Sequence, residues 1–374
     1  MPARAVTAAL VGLALAGTAA SAAAPRPQAR AWMLLNPDTG EVLAAHNPDL
    51  RLPMASTTKM MTALIGVDRI PLDRLVTVPA SAAEVGESSA SLVGGERIRM
   101  RDLLAGVMIA SGNDAATAMA DAVAGDTTRF VALMNARARR MGLRDTHYAN
   151  PHGLDQAGHH SSVRDLITVG EAVMADPTLA AMVGHRRVTI PGPDGAGTRV
   201  LQSHNGLLDI DPDADGIKTG DTGGAGYALA AHARRRGLGV QLYAAFIGEP
   251  SETRRATDAK ALLDWGFSQY GRARLTRAGA PVASVGVRDV GGTMLLRATG
   301  DPLVATVRLG RPVREQVVAP AEVVPPVTAG QVLGRVVFRQ GATVLGERSL
   351  VADHGVDAPG IIDRVRAGLE ALIP

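Results

Sequence analysis

The sequence predicts an α+β protein with a larger mixed domain and a smaller all-β domain. Over residues 30–268 helix-like and strand-like patterns alternate. Two strand-like runs there, Gly226 to Ala233 and Leu238 to Ile247, flank a polar turn, as in an antiparallel hairpin. Over residues 270–356 the chain changes to short strand-like runs separated by Gly, Pro and Asp, which is typical of a small β-sandwich-like domain. With 374 residues, 46% hydrophobic and 20% charged, the chain is long and apolar enough for both cores.

Further elements follow from the same patterns. Ser251 is expected to cap a helix that continues to Trp265. The strand-like runs of the smaller domain are Val282 to Val287, Met294 to Ala298, Leu303 to Leu309, Val332 to Arg339 and Thr343 to Val351.

Composition excludes several classes of protein. The 39 basic and 36 acidic residues leave a net charge of only +3, and aromatic residues make up 3%, so nucleic acid is not expected as a partner. The absence of cysteine from the sequence rules out cysteine nucleophiles and thiolate metal sites.

Residues 1–22 have the composition of a signal peptide. Arg4 gives a positive start, Val6 to Ala16 is a short apolar run, and Ala20 to Ala22 offers small residues for cleavage. A buried N-terminal helix is the poorer alternative, because Gly12 and Gly17 would weaken it. We therefore expect an exported protein, in the periplasm or on the outer face of the cytoplasmic membrane.

Residues 359–373 show the pattern of an amphipathic helix. Ile361, Val365, Leu369 and Ile373 recur four apart, with charged residues elsewhere. Packing on the β domain or on a partner helix is one reading. Docking on a membrane surface is slightly favoured, although so short a helix with two arginines would bind weakly alone.

Lysine is the unusual residue of this chain. Of the 39 basic residues only Lys59, Lys218 and Lys260 are lysines. Arginine keeps its proton in proteins, whereas a lysine that is desolvated or placed beside another cation can act as a base near neutral pH. Lysine is therefore expected where deprotonation matters, and Lys59 and Lys218 each fall inside a short motif.

The first motif is Ser56-Thr57-Thr58-Lys59. If a helix begins near Ser56, the hydroxyl and the amine lie on one face, where a neutral Lys59 can take the Ser56 proton. Backbone N–H groups at the helix start also point toward charge that develops on a substrate. For an isolated string of this kind, an N-cap serine with a solvated lysine is the commoner explanation.

Two further motifs favour the catalytic interpretation of Ser56 and Lys59. Ser111-Gly112-Asn113-Asp114 follows the apolar run Leu103 to Ala110, and Lys218-Thr219-Gly220 opens the predicted hairpin after a turn-rich stretch. S-x-x-K with S-D-N and K-T-G is the signature of class A β-lactamases and penicillin-binding proteins. The three motifs together, in this order, indicate serine-based acyl transfer.

The sequence closely resembles the low-molecular-mass penicillin-binding proteins that act as D-alanyl-D-alanine carboxypeptidases. The resemblance implies a β-lactamase/transpeptidase-like domain, an antiparallel sheet flanked by helices, with the β domain and terminal helix following it. It covers nearly all of the chain after the leader. The family-like segments are Met54 to Thr62, Ser111 to Ala120, His152 to Ser162, Asn205 to Leu208, Asp215 to Tyr227 and Leu262 to Phe267.

The resemblance implies a catalytic role for five residues. Ser56 would be the nucleophile and Lys59 its general base. Ser111 and Asn113 would line the opposite wall, where they relay a proton and hold the substrate amide. Lys218 would lower the pKa of the amine across the cleft, because two nearby ammonium groups disfavour each other's protonation.

The same resemblance implies a substrate-binding side formed by Thr219, Gly220, Asp221 and Arg255. Thr219 and Arg255 would bind the terminal carboxylate, and the N–H groups of Ser56 and Asp221 would form the oxyanion hole. The family often has a histidine where this chain has Asp221. An acid there would repel a carboxylate unless it turns away or pairs with Arg255, so we expect an altered acyl-enzyme lifetime or substrate preference.

These residues imply an enzyme that removes the terminal D-Ala from peptidoglycan stem pentapeptides through a Ser56 acyl-enzyme. β-Lactam antibiotics would be covalent inhibitors. A D,D-endopeptidase, a β-lactamase and a non-catalytic penicillin-binding wall module are the alternatives. No E-x-x-L-N string lies between the second and third motifs, which disfavours a class A β-lactamase, and the intact motifs disfavour the silent module.

No cofactor or metal is expected. The stretch Asp211 to Gly216 imitates the start of a calcium loop, but its twelfth position is Thr222 where a glutamate is needed. Four histidines could suggest zinc, but they lack the H-E-x-x-H spacing. They are His147, His152, His159 and His160.

Overall fold

The computed structural model describes residues 6–13, 23–358 and 360. The chain divides into one unit of residues 22–268 and a second unit that combines residues 1–21 with residues 269–374. The predicted terminal helix, residues 359–373, lies outside the described residues except for Gly360.

The described elements are numbered in chain order. The strands are β1 (Val6–Leu13), β2 (Ala31–Asn36), β3 (Glu41–His46), β4 (Leu75–Thr77), β5 (Arg97–Arg99), β6 (Arg187–Pro191), β7 (Thr198–Gln202), β8 (Ala214–Thr222), β9 (Gly226–Arg235), β10 (Val240–Glu249), β11 (Tyr270–Arg274), β12 (Pro281–Val287), β13 (Thr293–Ala298), β14 (Val304–Arg308), β15 (Val313–Ala319), β16 (Glu322–Val323), β17 (Val332–Gln340) and β18 (Thr343–Ala352). The helices are α1 (Lys59–Arg69), α2 (Ala80–Ala83), α3 (Met100–Met108), α4 (Asn113–Ala124), α5 (Thr127–Arg140), α6 (Val163–Ala175), α7 (Pro177–Val183), α8 (Leu207–Ile210) and α9 (Glu252–Ser268).

An antiparallel sheet in the order β3-β2-β10-β9-β8 forms the centre of the first unit. Helices cover both faces: α6 packs on one through Gly170, which approaches Tyr243, and α9 on the other through Gly266, which approaches Leu242. Tyr243 and Leu242 are neighbours on β10, so their side chains point to opposite faces. This is the antiparallel sheet flanked by helices that the family resemblance implies.

Helix α6 illustrates how the sequence forms these elements. Ser162 caps its first turn by accepting a hydrogen bond from the Asp165 N–H. Val163, Leu166 and Val173 recur at helical spacing and are buried. The apolar stripe therefore fixes which face of α6 meets the sheet.

The predicted hairpin is present but its turn is shifted. The strands extend to Arg235 and begin again at Val240, so the turn lies two residues later than predicted. Gly239 has a φ of 66°, and its N–H bonds to the Arg235 carbonyl at 3.0 Å. A glycine adopts that left-handed conformation easily, which explains the shift.

The Lys-Thr-Gly motif also lies differently from its prediction. Instead of opening the hairpin, it occupies the middle of β8, which pairs with β9 and forms an edge of the sheet. The turn-rich stretch ends at Asp213, because Ala214 already pairs with Ala233. At this edge Gly220 packs against the backbone of Ser56 and Thr57.

In its described residues the second unit contains strands and no helix, in agreement with the predicted all-β domain. It contains a sheet in the order β1-β15-β17-β18-β13-β12-β16 and a pair formed by β11 and β14. The predicted runs correspond to β12, β13, β14, β17 and β18. The sequence did not predict β11, β15 and β16. Strand β16 has only two residues, and in β15 the polar residues Arg314 to Gln316 interrupt the apolar pattern.

The backbone of Val6–Leu13 forms β1, which pairs antiparallel with β15 at the sheet edge. The sequence predicts that this segment is removed as part of a leader, and it did not predict a strand. A sheet edge presents unpaired N–H and C=O groups that an extended segment can satisfy in the uncleaved chain. Cleavage, which stays a prediction, would leave β15 at the edge.

Candidate active site

The three motifs meet at one cleft. It has a volume of about 430 Å³. Ser56, Asn113 and Asp221 of the predicted site line it. The other predicted side chains are buried: Lys59, Ser111, Lys218, Thr219 and Arg255. The remaining lining residues are Glu87, Ser88, Ser89, Ala110, Gly153, Leu154, His204 and Thr222.

Ser56 lies on a short 3-10 turn, Ala55–Thr58, that runs directly into α1. Ala55 has a φ of 49°, which is uncommon for a residue with a side chain. The turn brings Ser56 and Lys59 together, with 2.8 Å between Oγ and Nζ. The three-residue spacing thus places the amine against the hydroxyl, as the sequence predicts.

Lys59 is fully buried and its amine has two further partners. Nζ lies 2.7 Å from Asn113 Oδ1 and 2.7 Å from the His152 carbonyl oxygen. Burial, followed by the positive charge of Lys218, holds the pKa of Lys59 well below its ordinary value. A neutral amine can donate its two protons to the carbonyl oxygens of Asn113 and His152, and its lone pair then faces Ser56.

Three carboxylates oppose this effect. Asp114, Glu87 and Asp221 each raise the pKa of Lys59 by their negative charge. Burial is the dominant cause, and the lysine pair on which the sequence interpretation relied comes second.

Lys218 reaches Ser111 across the site. Its Nζ donates to Ser111 Oγ at 2.9 Å and to the Thr219 carbonyl at 3.0 Å. Burial, followed by the charge of Arg255, lowers the pKa of Lys218 to about 7. Ser111 has a φ of 58° in the turn between α3 and α4, which directs it to this partner.

On the opposite side of the cleft, Gly220 packs against the Ser56 turn and Asp221 lines the open space. Among the described residues no ion pair or side-chain hydrogen bond involves Asp221, so it does not pair with Arg255. Thr219 is buried between Lys218 and Gly220.

Arg255 is held inside the protein. Its guanidinium donates to the His204 carbonyl at 2.9 Å, to Glu252 at 3.0 Å and to the Gly220 carbonyl at 3.5 Å. Its neighbour Arg254 is half exposed and lies 3.6 Å from Asp258. Arg255 is therefore the arginine that reaches the Lys-Thr-Gly strand.

The sequence interpretation missed the loop that forms the second wall. Asn113 holds this loop, because its N–H donates to the Ser88 carbonyl at 2.8 Å and its Nδ2 to the Gly86 carbonyl at 2.9 Å. Glu87, between these two carbonyls, has a φ of 68°. Glycine and serine in this loop gave no motif to find.

The sequence indicates no role for the segment His147 to His160 beyond family likeness, yet this segment contacts the site. The His152 carbonyl accepts from Lys59, and His159 Nε2 lies 2.7 Å from Thr58 Oγ1. Within residues 23–358 no cluster of three or more metal-ligating side chains is present.

Comparison with known proteins agrees with this geometry. A sequence profile of the family described as D-alanyl-D-alanine carboxypeptidase matches residues 18–250. The chain is 30% identical to the carboxypeptidase DacF of Bacillus subtilis over 90% of this chain and 87% of the relative. It is 37% identical to DacD of Salmonella typhimurium over 70% of this chain and 69% of the relative.

A solved structure shows the same architecture. Penicillin-binding protein 5 of Haemophilus influenzae is similar with a TM-score of 0.65 and 29% identity, over 90% of this chain and 99% of that one. The predicted transpeptidase-like fold and serine peptidase class are therefore confirmed. The chain belongs to the D-alanyl-D-alanine carboxypeptidase family.

Proposed function

We propose that this carboxypeptidase cleaves its substrate through an acyl-enzyme on Ser56. Lys59 takes the Ser56 proton while Oγ attacks the carbonyl carbon of the penultimate D-Ala. The C–N bond then breaks, and the proton passes to the departing amine of the terminal D-Ala. The peptide stays esterified to Ser56.

In the second half-reaction a water molecule attacks the ester. A base removes one water proton, the C–O bond to Ser56 breaks, and the serine regains its proton. Lys59 can supply this function, with Ser111 and Lys218 as a second proton path. The contact of 2.9 Å between Lys218 and Ser111 supports that path.

We assign substrate binding to the strand side. The N–H groups of Ser56 and Asp221 would hold the oxyanion, and Thr219 with the charges of Lys218 and Arg255 would attract the terminal carboxylate. The 3.5 Å approach of Arg255 to the Gly220 carbonyl supports an electrostatic contribution at this point of the cleft.

The observation that carries the proposal is the environment of Lys59. A fully buried amine, 2.8 Å from a hydroxyl that lines an open cleft, has its protons directed to two carbonyl oxygens. A lysine whose pKa is lowered in this way can accept a proton.

The test combines a fluorescent penicillin with the peptide diacetyl-Lys-D-Ala-D-Ala. We expect covalent labelling and release of D-alanine, both abolished by Ser56→Ala and Lys59→Ala. The matched control is Lys260→Ala, because Lys260 lies outside the three motifs and pairs with the partly exposed Asp264. Fast turnover of the penicillin would instead identify a β-lactamase, and labelling without release would identify a penicillin-binding module.

Endopeptidase activity uses the same chemistry on a different peptide. A cross-linked D,D-peptide dimer offered beside the pentapeptide separates the two. Preferred cleavage of the dimer would replace the carboxypeptidase assignment with an endopeptidase.

We also propose that the chain is exported and that residues 359–373 dock on a membrane surface. The charge and apolar pattern of residues 1–22 supports export. Among the described helices no single one is long and apolar enough to cross a bilayer, and only the bent pair α6–α7 reaches that size in combination. Sedimentation of the protein with anionic vesicles, with and without residues 359–373, tests the docking.

A further inference from the structure

The peptide bond between Ala55 and Ser56 is held through its carbonyl. Thr58 Oγ1 donates to the Ala55 carbonyl oxygen at 2.8 Å. Gly153 lies against the same carbonyl, since a Cβ at this glycine would be 2.1 Å from the oxygen. A trans peptide points its C=O and N–H in opposite directions, so fixing the carbonyl also fixes the Ser56 N–H.

The N–H group of this peptide, on Ser56, has no hydrogen-bond acceptor among residues 23–358, although Ser56 itself lines the cleft. Gly220 lies beside this nitrogen without a side chain to cover it. The N–H is therefore available to a substrate oxygen.

His159 controls the hydroxyl that holds the carbonyl. It is buried, its Nδ1 accepts the Ala149 N–H at 2.9 Å, and its Nε2 lies 2.7 Å from Thr58 Oγ1. Because Nδ1 accepts, the neutral ring carries its proton on Nε2 and donates it to Thr58. The Thr58 hydroxyl proton is then directed to Ala55.

Burial keeps this arrangement in one protonation state. It lowers the pKa of His159 to about 4, with the neighbouring histidines adding to the effect. At neutral pH the ring stays uncharged, so one tautomer persists.

We propose that His159 is a positioning residue for acylation: through Thr58 it locks the Ala55–Ser56 peptide so that the Ser56 N–H points at the substrate oxyanion. Hydrogen bonds in such a chain strengthen one another, which also makes the Ser56 N–H a better donor. The inference rests on the proposed roles of Ser56 as nucleophile and oxyanion donor. The same segment holds Lys59 through the His152 carbonyl, so one loop orients both the base and the oxyanion hole.

Four variants test the chain of hydrogen bonds. His159→Leu and Thr58→Val remove a link, and we expect each to lower kcat about 10- to 100-fold with little change in KM. His159→Gln and Thr58→Ser keep a donor and an acceptor, and they should recover most of that loss. The double variant His159→Leu/Thr58→Val should lose no more kcat than either single variant, since the same series of hydrogen bonds is broken in each case.

A spectroscopic measurement separates positioning from a general structural role. The ester carbonyl of the penicillin acyl-enzyme should absorb at a higher infrared frequency in His159→Leu and Thr58→Val, because the oxyanion-hole bonds that polarise it are weaker. His160→Gln is the matched control: this histidine lies in the same loop, is partly exposed and stacks on His147. Its kcat and carbonyl frequency should equal those of the parent.

Other results would overturn the inference. They are an unchanged carbonyl frequency in Thr58→Val, additive losses in the double variant, or no recovery in His159→Gln despite an unchanged denaturant midpoint. If His159→Leu does not fold, the Thr58→Val and Thr58→Ser pair decides. Failure of the parent to release D-alanine would contradict the proposed function alone, because the acyl-enzyme spectrum still tests the positioning.

Discussion

Gly220 packs so closely on Ser56 that a Cβ added to Gly220 would lie 2.5 Å from the Ser56 backbone nitrogen. It would also lie 3.1 Å from the Thr57 nitrogen, so the backbone of the Ala55–Thr58 turn would have to move away from β8. The third residue of the Lys-Thr-Gly motif must therefore lack a side chain for β8 to pack against the Ser56 turn.

We expect Gly220→Ala to reduce the rate of penicillin acylation by about 100-fold, since displacement of catalytic groups by about 1 Å can cost that much. Gly223→Ala is the control, because a Cβ at Gly223 meets nothing within 4 Å. Stopped-flow acylation of both variants gives the comparison. Equal rates for the two would show that the close packing is unimportant.

Glu87→Gln should move the pH dependence of acylation. The negative charge of Glu87 raises the pKa of Lys59, so its removal lowers that pKa further. A larger fraction of Lys59 is then neutral at low pH, and the acidic limb of the acylation profile shifts to lower pH. Glu84→Gln, in the same loop and exposed, should leave the limb in place. A shift to higher pH would contradict the assignment of Lys59 as base.

Arg255→Gln should shift the alkaline limb of the pH–activity profile. The pKa of Lys218 is about 7, and its ammonium is the form that attracts the substrate carboxylate, so activity should fall as the pH rises through that value. Because the charge of Arg255 helps to lower the pKa of Lys218, its removal raises that pKa and shifts the limb to higher pH. Arg254→Gln serves as control, and an identical shift in both variants would argue against a specific effect.

Asp114→Asn should destabilise the wall of the cleft. The Asp114 carboxylate is fully buried and accepts from the Ser89 hydroxyl and from the N–H groups of Ala90 and Leu92. The NH₂ group of an asparagine would face these hydrogen-bond donors instead of accepting from them. We expect this to lower the free energy of unfolding by an amount on the order of 3 kcal/mol. Denaturant unfolding measures it. Asp121→Asn on the same helix should cost little, because burial already raises the pKa of Asp121 and disfavours its charge.

Much of the site could be predicted because its chemistry depends on residue types at fixed spacing. Ser56 and Lys59 are three residues apart on a helical path, so their contact follows from local geometry. The rarity of lysine singled out Lys59 and Lys218 without any structure. The contact between His159 and Thr58 could not be predicted, since 101 residues separate them along the chain.

Errors in the fold prediction have local causes. The hairpin turn was predicted at the charged tripeptide, whereas the backbone turns where Gly239 allows a left-handed conformation. The strand β15 was missed because polar residues interrupt its apolar pattern, although pairing with β17 still stabilises it.

By itself the sequence determined the candidate chemical groups: a hydroxyl, two lysines and an asparagine in three motifs, on an α+β framework whose apolar periods indicate helices and strands. Tertiary structure decided which of these groups line the cleft and which are buried. Asp221 lines the cleft, whereas Lys59, Lys218 and Arg255 are buried, and burial is the largest cause of the lowered pKa of each. Desolvation depends on what surrounds a charge in three dimensions, and residues distant along the chain provide those surroundings.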